Sequence, residues 1–297
     1  MKPNSLVVNV VVLLLLVKTN SFKIKIQLSQ HQLSQKTHHS TRLHLHSEEE
    51  DRVMEIATPS KASSARSEGL ALALDEGTRK SHSVAENTQF VTGFFKGIAN
   101  KKSFAQLVAS LYFVYEAMEK AFDENEKINP NIAALDYQEL RRLKTLEEDM
   151  VYYFGDSWKT TVKPSKATQK YVGRIAEIAK TDPSLLIAHM YTRYLGDLFG
   201  GQMMGGMARS SLSLEPGFGT QFYQFDDIID SKAFIENWYV KLNSLDLDSK
   251  QQQAIVDEGN LVFRYNIDLF NELEGGKRDI FNTVLGLLKV ALKKKFK

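Results

Sequence analysis

The sequence contains no cysteine among its 297 residues. Disulfide bonds, thiolate metal ligands and cysteine nucleophiles are therefore excluded, and zinc fingers are excluded with them. The chain also lacks a strong excess of charge, because 38 Lys and Arg are set against 36 Asp and Glu and give a net charge of +2. This balance does not indicate a nucleic-acid-binding protein. The composition, 43% hydrophobic and 25% charged, is enough for one good-sized core.

Histidine is scarce in the part of the chain that has a core pattern. Five of the seven histidines lie in a polar N-terminal segment, at His31, His38, His39, His44 and His46. The other two, His82 and His189, fall in the region with helical periodicity, so a histidine metal ligand there must be one of them. A di-iron carboxylate bundle is disfavoured, because neither has a Glu three residues before it.

No hydrophobic run is long enough to span a bilayer comfortably. The apolar residues 6–17 follow Lys2 and suit the core of a signal peptide at residues 1–21. Residues 22–47 are basic, rich in Ser, Thr, Gln and His, and free of acids, which is typical of a transit peptide. Together they resemble the two-part leader of algae with complex plastids, and predict a plastid (chloroplast stroma) location. A secreted protein with a disordered N-terminal arm is the alternative.

Residues 22–66 as a whole are interpreted as the transit-like segment and a flexible linker. Residues 67–275 then predict an all-α single domain, because apolar residues recur there at helical spacing. The expected helices are a first one with a break near Asn87, followed by 104–126, 140–154, 167–180, 183–209, 234–245 and 249–273. Residues 218–228 are expected to form a loop.

Residues 276–297 predict an amphipathic C-terminal helix with a basic tail. We interpret it as a last helix packed on the domain rather than as a membrane-surface helix, so membrane association is not expected.

Glycine is concentrated in one helical stretch, at Gly196, Gly200, Gly201, Gly205 and Gly206. Each glycine costs an exposed helix about 1 kcal/mol relative to alanine. Gly196 and Gly200 are four residues apart and so open a flat surface on one helix face, while Arg193 and Asp197 carry charge on a neighbouring face. The pattern indicates either a helix that ends in a Gly-rich turn, or a kinked helix whose backbone another body approaches.

Two blocks of sequence settle this choice by resemblance. Tyr-Thr-Arg-Tyr-Leu-Gly-Asp-Leu-Phe-Gly-Gly-Gln at residues 191–202 resembles the distal-helix signature of heme oxygenases, and Gly-Thr-x-x-x-His-x-x-Ala-Glu-Asn at residues 77–87 resembles their proximal-ligand segment. Residues 110–115, 243–245 and 263–273 resemble further blocks of the family. The resemblance covers residues 70–273 and is closest to the cyanobacterial and algal plastid branch.

The resemblance implies that heme b, both substrate and cofactor, lies between a proximal helix and a kinked Gly-rich distal helix. His82 would be the axial iron ligand and Glu86 would accept its second ring N–H. The other implied heme-binding residues are Thr78, Arg79, Tyr191, Gly196, Gly200, Gly201 and Phe263. His189 matches a family position that does not ligate iron, and we interpret it as structural.

The resemblance also implies the catalytic group. Asp197, with Arg193, Tyr115 and Asn266, would hold an ordered water network that supplies protons for oxygen activation. The implied reaction is cleavage of heme at the α-meso carbon by O2, with electrons from reduced ferredoxin, to biliverdin, CO and Fe2+. Heme, O2, ferredoxin and a downstream bilin reductase are the implied partners.

The sequence departs from the family at the heme propionates. Asp75, Ile235 and Tyr239 stand where the family favours basic residues, which leaves Arg79 as the expected main cation. A non-catalytic relative that carries or senses heme or another tetrapyrrole is therefore the alternative function. On the distal helix, Phe199 replaces a small residue and Gly205-Gly206 replaces a basic pair.

Overall fold

Helices form every regular element of residues 64–95 and 100–273, the part of the chain that the computed structural model describes. These ranges contain no strand, which confirms the predicted all-α fold. The expected signal peptide at 1–21, nearly all of the expected transit-like segment and linker, and the expected C-terminal helix at 276–297 lie outside the described residues and stay predictions. No helix within the described ranges is both long and apolar enough to cross a membrane.

The main helices follow the predicted order with shifted ends. A 3-10 turn, Ala65–Ser67, precedes α1 (Gly69–Glu86), α2 (Gln89–Phe95), α3 (Lys101–Asn125), α4 (Pro130–Leu135), α5 (Leu143–Phe154), α6 (Trp158–Thr161) and α7 (Lys166–Thr181). After a 3-10 turn at Pro183–Leu185 come α8 (Leu186–His189), two π-helical segments (Met190–Leu195 and Asp197–Gly201) and α9 (Gln202–Leu212). The chain then continues through a 3-10 turn, Gln221–Tyr223, to α10 (Ser231–Asn243) and α11 (Ser249–Leu273).

Side-chain caps explain several of these helix starts. Asn100 accepts a hydrogen bond from the Ser103 N–H and so starts α3 three residues before the expected position. Ser165 and Asp230 cap α7 and α10 in the same way. The break near Asn87 is confirmed, because Asn87 ends α1 and Gln89 begins α2.

Residues 186–212, here called the distal helix, keep right-handed helical backbone angles throughout. The glycines do not end this helix in a turn. Instead, the expected irregularity takes the form of the two π-helical segments, whose turns are wider than those of an α-helix and recur at functional sites. The helix ends at Ser213, which has a left-handed φ of 50°.

α1 and α11 pack side by side at a glycine on each helix. A Cβ on Gly77 would lie 2.4 Å from a methyl carbon of Val256, and one on Gly259 would lie 3.1 Å from a methyl carbon of Thr78. The Asn260 amide donates to the Gly77 carbonyl at 3.1 Å, and the Ser81 hydroxyl bonds the same Asn260. These contacts fix the position of α1 along α11.

The first 3-10 turn belongs to the fold, although the sequence predicts a flexible linker up to residue 66. The Glu236 carboxylate accepts hydrogen bonds from the Ser64 hydroxyl at 2.8 Å and the Ala65 N–H at 2.5 Å. The Asn243 amide donates to the Ala65 carbonyl at 2.7 Å. Ala65 is buried, so the packed part of the chain includes Ser64 to Arg66. The linker composition gave no sign of these contacts because both partners, Glu236 and Asn243, lie more than 170 residues away.

Candidate active site

His82 lies on an exposed face of α1. Its Nε2 is 3.7 Å from Oε1 of Glu86, one helical turn later, and its ring centroid is 5.3 Å from that of Phe263 on α11. Thr78, one turn before His82 on the same face, interacts with the Tyr191 hydroxyl of the distal helix. The face of α1 that carries His82 is therefore the one turned towards the distal helix.

Apart from the Thr78–Tyr191 pair, few contacts join α1 to the π-helical segments, and we call the space between them the gap. α11 packs against α1 and against the first π-helical segment, whereas α1 and these segments are not closely packed on each other. On the distal helix, a Cβ added to Gly196 or Gly200 would meet no heavy atom within 4 Å. The distal helix therefore presents bare backbone to open space, which fits the close approach of a flat ligand.

Gly201 has a different environment from Gly196 and Gly200. A Cβ there would lie 3.0 Å from the Tyr223 ring and 3.3 Å from the Asp197 Cβ, and Gly205 meets Tyr223 more closely still. These two glycines face the protein interior, and the absence of a Cβ leaves space for Tyr223 to pack against the helix.

A buried polar cluster combines residues from three helices. Asp197 of the distal helix accepts a hydrogen bond from the Tyr115 hydroxyl of α3 and is 2.9 Å from the Arg193 guanidinium. Arg193 also donates to Oδ1 of Asn266 on α11 at 2.9 Å. The structure thus brings together the four residues that the resemblance named as catalytic, and all four are buried.

Burial sets the proton affinities in this cluster. It raises the pKa of the Asp197 carboxyl above its ordinary value, although the Arg193 charge and the Tyr115 hydroxyl act in the opposite direction. It also raises the pKa of Tyr115 well above that of a free phenol. For Arg193, burial lowers the pKa, but the Asp197 carboxylate together with the Tyr115 and Tyr171 hydroxyls outweighs burial, and the net shift is upward. The cluster therefore holds a charged guanidinium beside a carboxyl that accepts a proton readily.

One donor of the cluster has no partner in the described part of the chain. Arg193 Nε is buried without a hydrogen-bond acceptor, and so is the hydroxyl of the neighbouring Thr192. Buried polar atoms of this kind are usually satisfied by ordered water. The site therefore suits a hydrated cluster rather than a dry ion pair.

His189 lies in a second buried network behind this cluster. Its Nε2 is 3.2 Å from Glu258, which also receives a bidentate contact from Arg174. Burial lowers the pKa of His189, whereas the pKa of Glu258 falls to about 2 despite burial. Because Arg174 already supplies the counter-charge, we assign a charged Glu258 and a neutral His189 that donates its Nε2–H. This arrangement holds three helices together and leaves His189 with no exposed surface.

The polar end of the gap contains a cation that the sequence does not predict. Arg66, from the first 3-10 turn, donates to Asp75 at 2.5 Å and interacts electrostatically with Tyr239 and Tyr191. Arg79, the expected main cation, is 3.4 Å from the other Asp75 oxygen and is largely exposed. No sequence signal marked Arg66, because it belongs to a Ser- and Ala-rich segment with linker composition.

Of the two departures on the distal helix, Phe199 lies at the surface, whereas Gly205 of the Gly205-Gly206 pair is buried. Phe199 is 76% exposed and Met203, four residues later, is 43% exposed. Ile235 and Tyr239 lie on α10, where Tyr239 is buried and Ile235 is partly buried against the core.

No group of three or more His, Asp or Glu residues in ranges 64–95 and 100–273 is arranged to hold a metal ion. A single histidine such as His82 suits a metal whose other ligands come from a macrocycle. Fold and site therefore define a class of all-α proteins with an exposed histidine on one helix and a bare glycine face on another, an arrangement that suits a flat, metal-containing ligand.

Comparison with known proteins identifies the family. The heme oxygenase family model matches residues 68–272. Heme oxygenase 1 of Synechocystis sp. is 47% identical over 206 residues, 69% of this chain and 85% of that protein. The heme oxygenase of Rhodella violacea is 45% identical over 207 residues, 69% of this chain and 86% of that protein. The solved heme complex of heme oxygenase-1 from Synechocystis sp. has a TM-score of 0.70 and 44% identity, covering 76% of this chain and 100% of that one. The chain belongs to the heme oxygenase family.

Proposed function

We propose that this protein is a heme oxygenase that cleaves heme at the α-meso carbon, using O2 and electrons from reduced ferredoxin, and releases biliverdin, CO and Fe2+. Membership of the family supports the degradation of heme to biliverdin. The observation that carries the proposal is the bare backbone of Gly196 and Gly200, which faces open space next to the buried Asp197 cluster. A flat macrocycle fits such a surface.

His82 would hold the heme iron from the α1 side, and Glu86 would orient the His82 ring. In the described region, His82 is the exposed histidine, and its nearest carboxylate lies one turn away at 3.7 Å. A carboxylate in that position fixes the ring orientation and increases the basicity of a ligating imidazole. Phe263 would pack against the side of the same ring.

The Asp197 cluster would hold and deliver protons on the other side of the ligand. Bound heme would supply the oxygen chemistry, and a meso carbon of the same heme would be the atom that is oxidised. Asp197 would order water without competing for the metal, because Arg193 and Tyr115 already bind its carboxylate. The unpartnered Nε of Arg193 offers a further donor for that water. The α-meso carbon would be the reactive one if the distal backbone at Gly196 and Gly200 crowds oxygen towards one edge.

The electron donor and the location are parts of the same proposal. Ferredoxin as donor and a bilin reductase as consumer of biliverdin suit a plastid enzyme, and the N-terminal composition supports plastid import. Algal relatives such as that of Rhodella violacea are in keeping with this location. Detection of the full chain fused to a fluorescent reporter outside plastids would contradict it.

Hemin reconstitution followed by turnover tests the activity. With O2 and reduced ferredoxin, the Soret band of the bound hemin should disappear and a biliverdin band should grow. A second function, that of a heme or tetrapyrrole carrier, is favoured by Asp75, Ile235 and Tyr239, which stand where the family favours basic residues. A carrier would bind hemin and leave the Soret band unchanged under the same conditions.

A glycine substitution tests the placement of the ligand. Gly200→Ala should stabilise the ligand-free protein slightly, because a Cβ meets nothing there and alanine favours helix. The same methyl group should weaken hemin binding by roughly 5- to 100-fold through overpacking. Gly206→Ala, on the same helix but with only the end of Arg209 nearby at 3.9 Å, is the matched control and should leave hemin affinity unchanged. Equal affinities of the two variants would contradict the proposed position of heme.

A further inference from the structure

The gap between α1 and the distal helix has two chemically different ends. At one end, Phe263 of α11 packs on His82, and further along α11 Phe270 stacks on Phe90 of α2 with ring centroids 5.8 Å apart. Near the start of both helices, the other end contains hydroxyl and charged groups, contributed by Arg66, Asp75, Thr78, Tyr191 and Tyr239. An amphipathic macrocycle with carboxylates on one edge would place that edge at the polar end.

Arg66 is held at this end by a built platform. Glu236 of α10 binds the hydroxyl of Ser64 and the N–H of Ala65, and Asn243 binds the carbonyl of Ala65. The Ser64 side chain also accepts from the Arg66 N–H at 3.3 Å. The backbone on both sides of the guanidinium is thus fixed by residues of the domain itself.

The two nearby arginines differ in what they face. Arg79 contacts Asp75 and, at 4.0 Å, Glu76, and its side chain is 67% exposed. Arg66 binds Asp75 more closely and interacts with both tyrosines of the polar end. Arg66 is therefore the cation turned towards the end of the gap, and Arg79 lies at its rim.

We propose that Arg66 binds a carboxylate of the heme edge, with the hydroxyls of Tyr191 and Tyr239 as additional donors. This assignment rests on the proposed function, in which the ligand is heme. A guanidinium has five N–H donors in a planar fork, and Asp75 engages only part of them, so donors remain for a second carboxylate. Asp75 holds the guanidinium in place and at the same time repels the ligand carboxylate.

The sign of the Asp75 effect distinguishes this arrangement from a simple structural ion pair. Asp75→Asn should tighten hemin binding, because the repulsion is lost and Arg66 stays available. Arg66→Ala should weaken hemin binding about tenfold. The loss is no larger because solvent screens a charge-assisted hydrogen bond at the half-exposed Arg66 side chain. Arg66→Ala should weaken binding in the Asp75→Asn background as well.

Equilibrium titration of the full chain with hemin and with hemin dimethyl ester tests the assignment. The ester retains the macrocycle and lacks the free carboxylates, so its affinity should be the same for the wild type and for Arg66→Ala. Lys80→Ala, an exposed basic residue of α1 outside this cluster, is the control for general charge loss and should match the wild type. Arg66→Lys, which keeps the charge and loses the fork, should fall between wild type and Arg66→Ala.

Three results would overturn the assignment. The first is an unchanged hemin affinity in both Arg66→Ala and Arg66→Lys, and the second is equal loss of affinity for hemin and for its ester. The third is a double variant that binds hemin as tightly as Asp75→Asn, since Arg66 would then act only on Asp75. These titrations measure no turnover, so a protein that binds hemin without degrading it would refute the proposed activity and leave this assignment standing. A wild type that binds neither ligand would refute both.

Discussion

At the scale of single residues, the proposed iron ligation by His82 can be tested with one substitution. His82→Ala should lose the spectrum of histidine-ligated ferric heme and all oxygenation, because no other exposed histidine lies in residues 64–95 and 100–273. Added imidazole should restore the ferric spectrum by occupying the space of the lost ring. Absorbance spectra of hemin-reconstituted protein measure both effects.

Ser83→Ala is the matched control for His82→Ala, since Ser83 is the next residue on α1 and is also exposed. Its spectrum should be that of the wild type. A His82→Ala protein whose ferric spectrum is unchanged would remove His82 as the iron ligand.

Asp197 is expected to act on protons and not on heme binding. Asp197→Asn keeps the shape of the side chain but removes the negative charge that Arg193 and Tyr115 surround. Biliverdin formation should fall about 100-fold or more, in the range found for loss of a general acid–base group. Hemin affinity should be unchanged.

Single-turnover spectroscopy of hemin-loaded Asp197→Asn measures this loss. The reaction of the variant should be diverted from biliverdin formation to peroxidase-like chemistry, because the carboxylate that orders the water is absent. Tyr115→Phe, which removes one donor to the same carboxylate, should show a smaller loss of biliverdin. A normal biliverdin yield from Asp197→Asn is incompatible with the proposed role.

At the scale of helices, two adjacent glycines of α9 should respond in opposite directions to alanine. A Cβ on Gly205 would lie 2.7 Å from Cβ of Tyr223, an atom next to the backbone that cannot move cheaply. Gly205→Ala should therefore lower the free energy of unfolding by about 1–3 kcal/mol. Gly206→Ala meets only a flexible arginine end and should raise it by about 0.5–1 kcal/mol.

Urea unfolding of the two ligand-free variants measures these changes side by side. Equal effects would mean that Tyr223 does not pack against the distal helix as described. The comparison needs no ligand, so it tests the helix contact separately from heme binding.

Helix positions were largely predictable, but helix geometry was not. Periodicity and the Asn87 break located α1, α2, α7 and α11 because local spacing dictates them. The π-helical geometry had no signature in the sequence, since the first segment, Met190–Leu195, contains no glycine at all. Tyr223 contacts Gly201 and Gly205 from the 3-10 turn Gln221–Tyr223, and such a tertiary contact leaves no mark on local spacing.

The residues of the candidate site likewise divide into those that local spacing predicts and those that only tertiary contacts bring together. His82, Glu86, Asp197 and Arg193 were found because each pair lies one helical turn apart and fits a family block. Tyr115 and Asn266 came from the resemblance alone, and their meeting with Asp197 is a tertiary contact. Arg66 was missed because Glu236 and Asn243, which bind its turn to the domain, are far away in sequence.

At the scale of the whole molecule, Asp149 should make stability depend on pH. It is fully buried on α5 and accepts the N–H groups of Gln221 and Phe222 at 2.9 Å each. Burial raises the pKa of Asp149 to about 6, although both N–H groups lower it, and the nearby Glu148 adds to the rise. The folded protein therefore binds a proton here more tightly than the unfolded chain does.

The sign of the effect follows from this difference. The Asp149 contribution is fully present below the ordinary aspartate pKa of about 4 and is lost as the pH rises through about 6. Across this window it should amount to about 2–3 kcal/mol. Chemical unfolding at pH 4.5, 5.5 and 7 measures this contribution, because these pH values lie within and above the window. Asp149→Asn, which cannot titrate, is the comparison. A wild type and variant whose stabilities stay parallel across the window would contradict the assignment.

The contact between α1 and α11 also determines when during synthesis the protein can acquire its ligand. Ser81, one residue before the proposed iron ligand, bonds to Asn260, 179 positions later in the chain. Asn266, which completes the Asp197 cluster, comes from the same late helix. A nascent chain that has not yet emerged past α11 has the histidine and the glycine face but no support that holds them opposite each other. Heme capture is therefore expected only after the last described helix has left the ribosome.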